Sequence, residues 1–328
     1  MALLLADALK ISPSDYSKMV AASVITADQL LMSLPAKPIN GLAYVYNREN
    51  ALATTAGVDV DGTIAESATT YTQTTATLRT IAGDVDIDQR LQTAGSNITD
   101  QRGKQLVSKV RSLGRTLGQM AITGTDTATS FAGLQSLVTA GQTRLSTGAN
   151  GDDLLSSSGE TAFQILDQLI DQLLLLKVGR IAFFCNGAIK GKLLSAFRLK
   201  NYQVETTRIP TTLPAGLADA IGYVDQGVPF YRGIPILQTD WIPSTEAKGT
   251  GTTLSSIYLA SLDDEAGVCG VYAPVPQDEN VVVPGFAGVE RVGLVQNKDA
   301  VRYRVKSYMA MACHSDKALA RASQLITA

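Results

Sequence analysis

Histidine is almost missing from this chain: His314 is the only one in 328 residues. Multi-histidine metal centres are thereby excluded, and little remains for acid–base catalysis near neutral pH. Cysteine is scarce too. Cys185, Cys269 and Cys313 make an odd number with no C-x-x-C spacing, so neither a disulfide framework nor a zinc knuckle is expected, and a reducing compartment suits them. No charge dominates either, since 28 Lys and Arg face 30 Asp and Glu for a net charge of -2. A protein that grips phosphates over its whole surface would be far more basic, so any contact with nucleic acid must be local. Long apolar runs are lacking. The greasiest window, Leu173 to Leu176, is fenced by Asp171 and Lys177 and is too short to cross a bilayer. The opening MALLLADALK has no basic residue ahead of its leucines and soon meets Asp7, which does not fit a secretory signal.

What is present points to a folded, globular chain. Apolar residues make up 45% and charged residues 18%, and the length suits about two domains of ~150 residues. Residues 1 to 38 alternate short apolar clusters with helix-start signals such as Ser12-Pro13-Ser14-Asp15 and stop at Pro35 and Pro38, which reads as an extended arm with one or two short helices. From Leu42 to Asp88 the alternation Val58-Asp59-Val60-Asp61 and Thr70-Tyr71-Thr72-Gln73-Thr74 predicts a long β-hairpin. Between Arg48 and Thr80 its large apolar residues are few, chiefly Leu52, Val58, Val60, Ile64, Tyr71 and Leu78. A two-stranded hairpin is marginal in water, so this one needs another surface to lie on.

A single long helix is expected from Thr99 to Ile122, capped by Thr99 or Asn97, with Leu106, Val110, Leu113, Leu117 and Met120 forming one apolar stripe. Lys104, Arg111 and Arg115 fall together on the opposite face as a basic ridge. The two neighbouring segments are oppositely charged. Residues 41 to 88 hold seven acids (Glu49, Asp59, Asp61, Glu66, Asp84, Asp86 and Asp88) against Arg48 and Arg79, whereas 89 to 115 hold Arg90, Arg102, Lys104, Lys109, Arg111 and Arg115 against Asp100 alone. Beyond a Gly/Ser/Thr-rich stretch at 124 to 159, a helix from Glu160 to Lys177, the strand RIAFFCN and a helix near Ile189 to Lys200 make an α/β unit. Strand and turn signals then run from Gly222 to Tyr272 and imply a mixed sheet with flanking helices. The last strand places Val301, Tyr303 and Val305 on one face and Arg302, Arg304 and Lys306 on the other, and a helix from Ser315 to Leu325 is expected to follow.

Motifs with possible chemistry are thin. Gly187-Ala188-Ile189-Lys190-Gly191-Lys192 after a strand has three residues between its glycines where a phosphate loop needs four, and Leu193 stands where a hydroxyl should hold magnesium. Asp59-x-Asp61-Gly62-x-x-x-Glu66 has too few ligands for a calcium loop. Cys313 and His314 are adjacent on a strand and point to opposite faces, so they cannot act as nucleophile and base; Cys313 reads as core and His314 as a surface turn residue. Asp84, Asp86 and Asp88 share one strand face, where mutual repulsion calls for cations opposite, and the basic ridge offers candidates. No catalytic residue, cofactor or metal ligand is assigned.

In order, the arm, the acidic hairpin, the long helix, the α/β unit, the Pro/Gly-punctuated sheet and the long final strand resemble the tailed-bacteriophage major capsid proteins of the Hong Kong 97 fold. The segments GVPFYRGIPILQTDWIP at 227 to 243, SSIYLASLDDEAGVCGVY at 255 to 272 and DAVRYRVKSYMAMACHSDKALARASQLI at 299 to 326 carry the likeness. The resemblance implies an α+β chain with an N-terminal arm (1 to 38) and an extended loop (41 to 88). It also implies a peripheral domain on a long spine helix (89 to 156 with 273 to 312) and an axial α/β domain (157 to 272 with 313 to 328). It further implies a structural protein without enzymatic activity, self-assembling through hexamers and pentamers into an icosahedral shell around double-stranded DNA. The expected partners are copies of itself, a separate scaffolding protein, a portal protein, a decoration or cement protein, and packaged DNA held by weak non-specific contact. No membrane is involved, and the expected location is the virion, assembled in the host cytoplasm. Subunit contacts are expected at Asp59, Asp61, Glu66, Arg79, Asp84 and Asp86 of the loop and at Lys104, Arg111 and Arg115 of the helix. No lysine occurs from Pro38 to Gly103, so cross-linking through a loop lysine is not expected, and the arm starts too near Met1 to leave room for a cleaved scaffolding segment. An encapsulin-like compartment shell is the alternative, set behind because such shells tend to have shorter chains. An enzyme built on the α/β unit is a third reading, disfavoured by the missing acid–base residues.

Overall fold

The computed structural model describes residues 28–51, 53–88, 101–173, 180–201, 206–207, 228–273 and 287–327. Most of the expected arm, Arg90, and the Asn97 and Thr99 caps lie outside these residues. The first half comprises helix α1 (Gln29–Ser33), strands β1 (Ala36–Pro38), β2 (Ala43–Ala51), β3 (Thr70–Thr77) and β4 (Arg79–Asp88), and the long helix α2 (Gln101–Thr123). Next come the small hairpin β5 (Thr125–Thr127) and β6 (Ser130–Ala132), α3 (Leu134–Leu137), β7 (Thr143–Arg144), α4 (Glu160–Leu173), β8 (Arg180–Cys185) and α5 (Gly187–Leu199). The rest is strand: β9 (Thr206–Thr207), β10 (Val228–Tyr231), β11 (Ile234–Gln238), β12 (Glu246–Lys248), β13 (Gly251–Leu262), β14 (Val268–Tyr272), β15 (Ala287–Leu294), β16 (Ala300–Cys313) and β17 (Leu319–Ile326).

Thirteen of these strands join one mixed sheet whose main path runs β15-β16-β14-β13-β8-β11-β10-β9, with β1, β4, β7, β12 and β17 attached at its flanks. Its centre is covered on both faces, and the sequence shows why. Successive side chains of a strand point to opposite faces, so a strand buried on both sides reads as an unbroken apolar run. In β8, Ala182 and Phe184 enter one core while Phe183 and Cys185 enter the other. In β13, Tyr258, Ala260 and Leu262 go to the first and Ile257 and Leu259 to the second.

The second core is closed by α4, through Ile165, Leu166 and Leu169, and by α5, through Ile189, Leu193 and Phe197. Asn186 caps α5, accepting the Ile189 N–H at 2.9 Å while its amide donates to Ser244 and Ser255, so the glycine-rich turn after β8 is a helix cap and not a phosphate cradle. The first core lies under α2. Leu106, Val110, Leu113 and Leu117, the stripe expected from the sequence, are buried against Ile81 and Ile87 of β4 and Val301, Tyr303 and Val305 of β16. α2 approaches β4 closely, and a Cβ at Gly83 would meet the aliphatic chain of Lys109. α1 joins the same core through Leu30 and Leu31, held by the buried Asp28, which accepts from the Leu30 N–H and from the Thr239 hydroxyl.

Two expectations are corrected. Where a helix was expected from Ser315 to Leu325, there is a short 3-10 turn at Asp316–Ala318 and then β17, antiparallel to β13 with Ala260 opposite Leu319 and Tyr258 opposite Arg321. Alanine is the best helix former, but the slot beside β13 overrides that local preference: Ala320 and Ala322 are buried there, and Arg321 donates to Glu246 and Ser256. The hairpin expected over 41 to 88 also divides. β2 pairs only with β3, whereas β4 pairs with β16 from Arg79 opposite Met309 to Asp88 opposite Ala300 and belongs to the main sheet.

All three cysteines are buried and unpaired. Burial pushes the thiols of Cys185 and Cys269 up to about 12 and raises that of Cys313. None is a thiolate at neutral pH.

Leu117 is fully buried. Leu117→Ala is expected to lower the unfolding free energy by about 2–5 kcal/mol in urea denaturation, whereas Ile64→Ala, at an exposed position, is expected to change it by less than about 0.5 kcal/mol.

Candidate subunit interface

The free hairpin is a ribbon with one attached end. β2 and β3 pair from Ala43 opposite Thr77 to Ala51 opposite Thr70, with a register shift between Glu49 and Ala51. Beyond them the described residues 53–68 are all exposed, including Val60 at 90% and Ile64 at 80%. At the tip Asp61 takes a left-handed conformation (φ 66°), Gly62 N–H donates to the Asp59 carbonyl at 2.9 Å and Val60 N–H to the Asp59 carboxylate at 2.8 Å. This is a tight turn stabilised by its own aspartate. Among the described residues no group of three or more His, Cys, Asp or Glu is placed to hold a metal.

At its root the ribbon is gripped. Tyr44, Tyr46 and Arg48 follow one another at every second position of β2 and face the body, while Val45 on the opposite face is 51% exposed. Tyr46 packs with Cys269, Val271 and Ala312 and accepts the Cys313 N–H. Arg48 pairs with Asp316 at 3.0 Å. His314, expected as a surface turn residue, is instead half-buried against both tyrosine rings, which stack on each other, at 5.8 Å and 5.0 Å between centroids. The hairpin folds back over the end of β16 and covers it.

The charged residues singled out in the sequence separate into two groups. Asp84 and Asp86 do lie on one face of β4, but their cations come from β16 and not from the helix ridge. Arg304 binds Asp84 through two N–H groups at 2.7 and 2.9 Å, and Arg302 binds Asp86 at 2.7 and 2.8 Å. Lys306 continues the row to Glu290 of β15 at 2.5 Å. The register explains this, since Arg302 stands opposite Asp86 and Arg304 opposite Asp84. The signal was present in the alternation of β16, which placed three cations on one face without naming a partner strand. Arg79 is also used within the chain, pairing with Asp126 at 3.1 Å.

Asp59, Asp61 and Glu66 are exposed at the tip, and Arg111 and Arg115 are exposed on α2; none of these five has an ion-pair partner among the described residues. The side chain of Lys104 lies outside them. The tip and the ridge therefore remain as unmatched charges of opposite sign. The root residues Tyr44, Tyr46 and Arg48 escaped the sequence reading, although their i, i+2, i+4 spacing was a legible signal of a strand with one buried face.

No protein-family model matches the chain, and no curated protein matches it in sequence. Solved structures do match in fold. The SrpI encapsulin of Synechococcus elongatus superposes with a TM-score of 0.67 at 18% identity, over 100% of this chain and 97% of that one. The capsid of the native GTA particle gives 0.59 at 13% identity, over 92% and 90% of the two chains. A structure from Mycobacterium phage Adephagia gives 0.54 at 13% identity, over 99% and 98%. The chain has the α+β Hong Kong 97 capsid fold, as its sequence pattern led one to expect.

Hydrogen bonds from Arg304 and Arg302 hold the carboxyls of Asp84 and Asp86 below the usual carboxylate range. Their contribution is therefore present above the ordinary carboxylate pKa of about 4 and is lost as pH falls through the depressed values. Melting curves across pH should show Asp84→Asn/Asp86→Asn destabilised at pH 7, with the gap to the parent closing on acidification. A gap independent of pH would refute the ion-pair origin.

Proposed function

We propose that the chain is the major capsid protein of a tailed bacteriophage, forming hexamers and pentamers of an icosahedral shell around double-stranded DNA, without enzymatic activity. The observation that carries this reading is the ribbon of residues 43 to 77. Its paired part alone spans about 30 Å, against a radius of gyration of about 20 Å for a compact chain of this length. It exposes Val60 and Ile64 and has no body of its own to cover them. Such a segment gains its burial from another molecule, and in a closed assembly each copy both gives and receives it.

In this reading residues 1 to 38 are the arm, 41 to 88 the extended loop together with the strand β4 that joins it to the main sheet, 89 to 156 with 273 to 312 the peripheral domain, and 157 to 272 with 313 to 328 the axial domain. Asp59, Asp61 and Glu66 of one copy meet Lys104, Arg111 and Arg115 of its neighbour, while Arg79, Asp84 and Asp86 stiffen the strand that bears the loop. Individually weak contacts suffice, because leaving a shell breaks several at once. A scaffolding protein, a portal and a decoration protein are further partners of this reading, and DNA is held only weakly, as the net charge of -2 suits. Assembly in the host cytoplasm and residence in the virion follow.

An encapsulin-like compartment is the second reading. The encapsulin match has the higher TM-score and is nearly the same length as this chain, so chain length does not separate the two readings as the sequence had suggested.

Electron microscopy of the purified chain, alone and with a co-expressed scaffold, is expected to show closed shells; small particles only would overturn both readings. Nuclease-resistant DNA inside native particles supports the phage, and an enzyme cargo without DNA supports the compartment. Reversing Lys104, Arg111 and Arg115 to glutamate together is expected to impair shell assembly while leaving the melting temperature of the subunit nearly unchanged. Shells of parental yield and salt resistance would remove the electrostatic contact.

A further inference from the structure

We infer that Tyr44, Tyr46, Arg48 and His314 form a clasp that sets the angle at which the hairpin leaves the body, and that the β2–β3 ribbon is released from it as a unit without unfolding the sheet. This concerns the isolated chain and stands whether or not the chain builds a shell.

The socket is made by chain segments far apart in sequence. β1 brings Lys37, the turn before β14 brings Gly267, β14 brings Cys269 and Val271, and the end of β16 brings Cys313, His314 and Asp316. These walls are fixed by the main sheet: β1 runs parallel to β14 with Lys37 beside Val271, and β14 pairs with β16 with Val268 beside Cys313. The socket therefore exists without the hairpin.

With a neutral imidazole the polar links have one consistent arrangement. The Gly267 carbonyl can only accept, so His314 Nδ1, 3.1 Å away, carries the proton and donates to it. Nε2 is then the acceptor, and the Tyr44 hydroxyl donates to it across 3.1 Å. Lys37 Nζ donates to the same hydroxyl at 3.3 Å. One tyrosine oxygen thus ties β1, β2 and the end of β16 together.

The grip is one-sided. Only one face of β2 enters the socket, with Ala76 and Leu78 closing it from β3 and the following turn. Past Arg48 the described residues 53–68 of the ribbon are all exposed. The sheet strand β13, in contrast, is buried almost throughout from Leu254 to Leu262. Loss of the clasp leaves a two-stranded ribbon that is marginal by itself, and the sheet loses only the cover over Cys269, Val271 and Ala312 while β13 keeps its packing in both cores.

Hydrogen exchange on the full chain, at a concentration where it is monomeric, tests this. In His314→Ala and in Tyr44→Phe the amides of β2 and β3 are expected to exchange about tenfold faster than in the parent, the loss of one structural hydrogen bond. The amides of β13 are expected to be unchanged. Combining the two substitutions should add little to either alone, because both break the same link. Tyr44→Phe keeps the ring and removes only the hydroxyl, so it reads out even if His314→Ala folds poorly. Unchanged hairpin exchange in Tyr44→Phe, or equal acceleration in β13, would overturn the clasp.

Discussion

A strand that feeds two cores with alternate side chains cannot slide. Shifting β8 by one residue would carry Phe183 and Phe184 each into the other's core, and β13 would exchange Ile257 and Leu259 for Tyr258 and Ala260 in the same way. The two helix layers are thereby locked together through the sheet, and no helix can be repositioned without disturbing strands that also serve the opposite side. Every other element inherits its place from this registration: β16 from β14, β4 from β16, and the ridge of α2 from its seat on β4.

The long projection is built on the contrary principle. It is attached by one face at one end and carries charge at the other, with two different uses of acidic residues along the way. Near the body, Asp84 and Asp86 are neutralised by arginines directly across the strand pair, which rigidifies the rod from which the projection springs. At the far end Asp59, Asp61 and Glu66 are left without partners among the described residues, free to be matched from outside. Rigidity and recognition are assigned to separate acids of the same sign.

What the sequence disclosed follows from how local each signal is. The stripe of α2 and the polar face of β16 are properties of consecutive residues, and both appear as expected. The alternation from Val58 to Asp61 read as strand, yet these residues form the turn at the tip, where the Asp59 carboxylate and carbonyl accept from Val60 and Gly62 within four positions. The pairing of β4 with β16 spans more than two hundred positions of chain, and no local signal says which strand lies beside which, so the cations for Asp84 were sought on the wrong element. β17 failed for a related reason: its alanines favour helix locally, a preference that a long-range slot reverses. His314 looked exposed because the residues that cover it, Tyr44 and Tyr46, arrive from the far end of the sequence. The overall order of elements, being a property of the whole chain, survived these local errors.

Because Cys185, Cys269 and Cys313 all lie inside with their protons held, the folded surface offers no thiol for alkylation. An engineered cysteine at an exposed position such as Thr63 would therefore be a unique handle for a dye, a spin label or a grafted peptide, placed beside the turn at the tip with no need to remove the native ones.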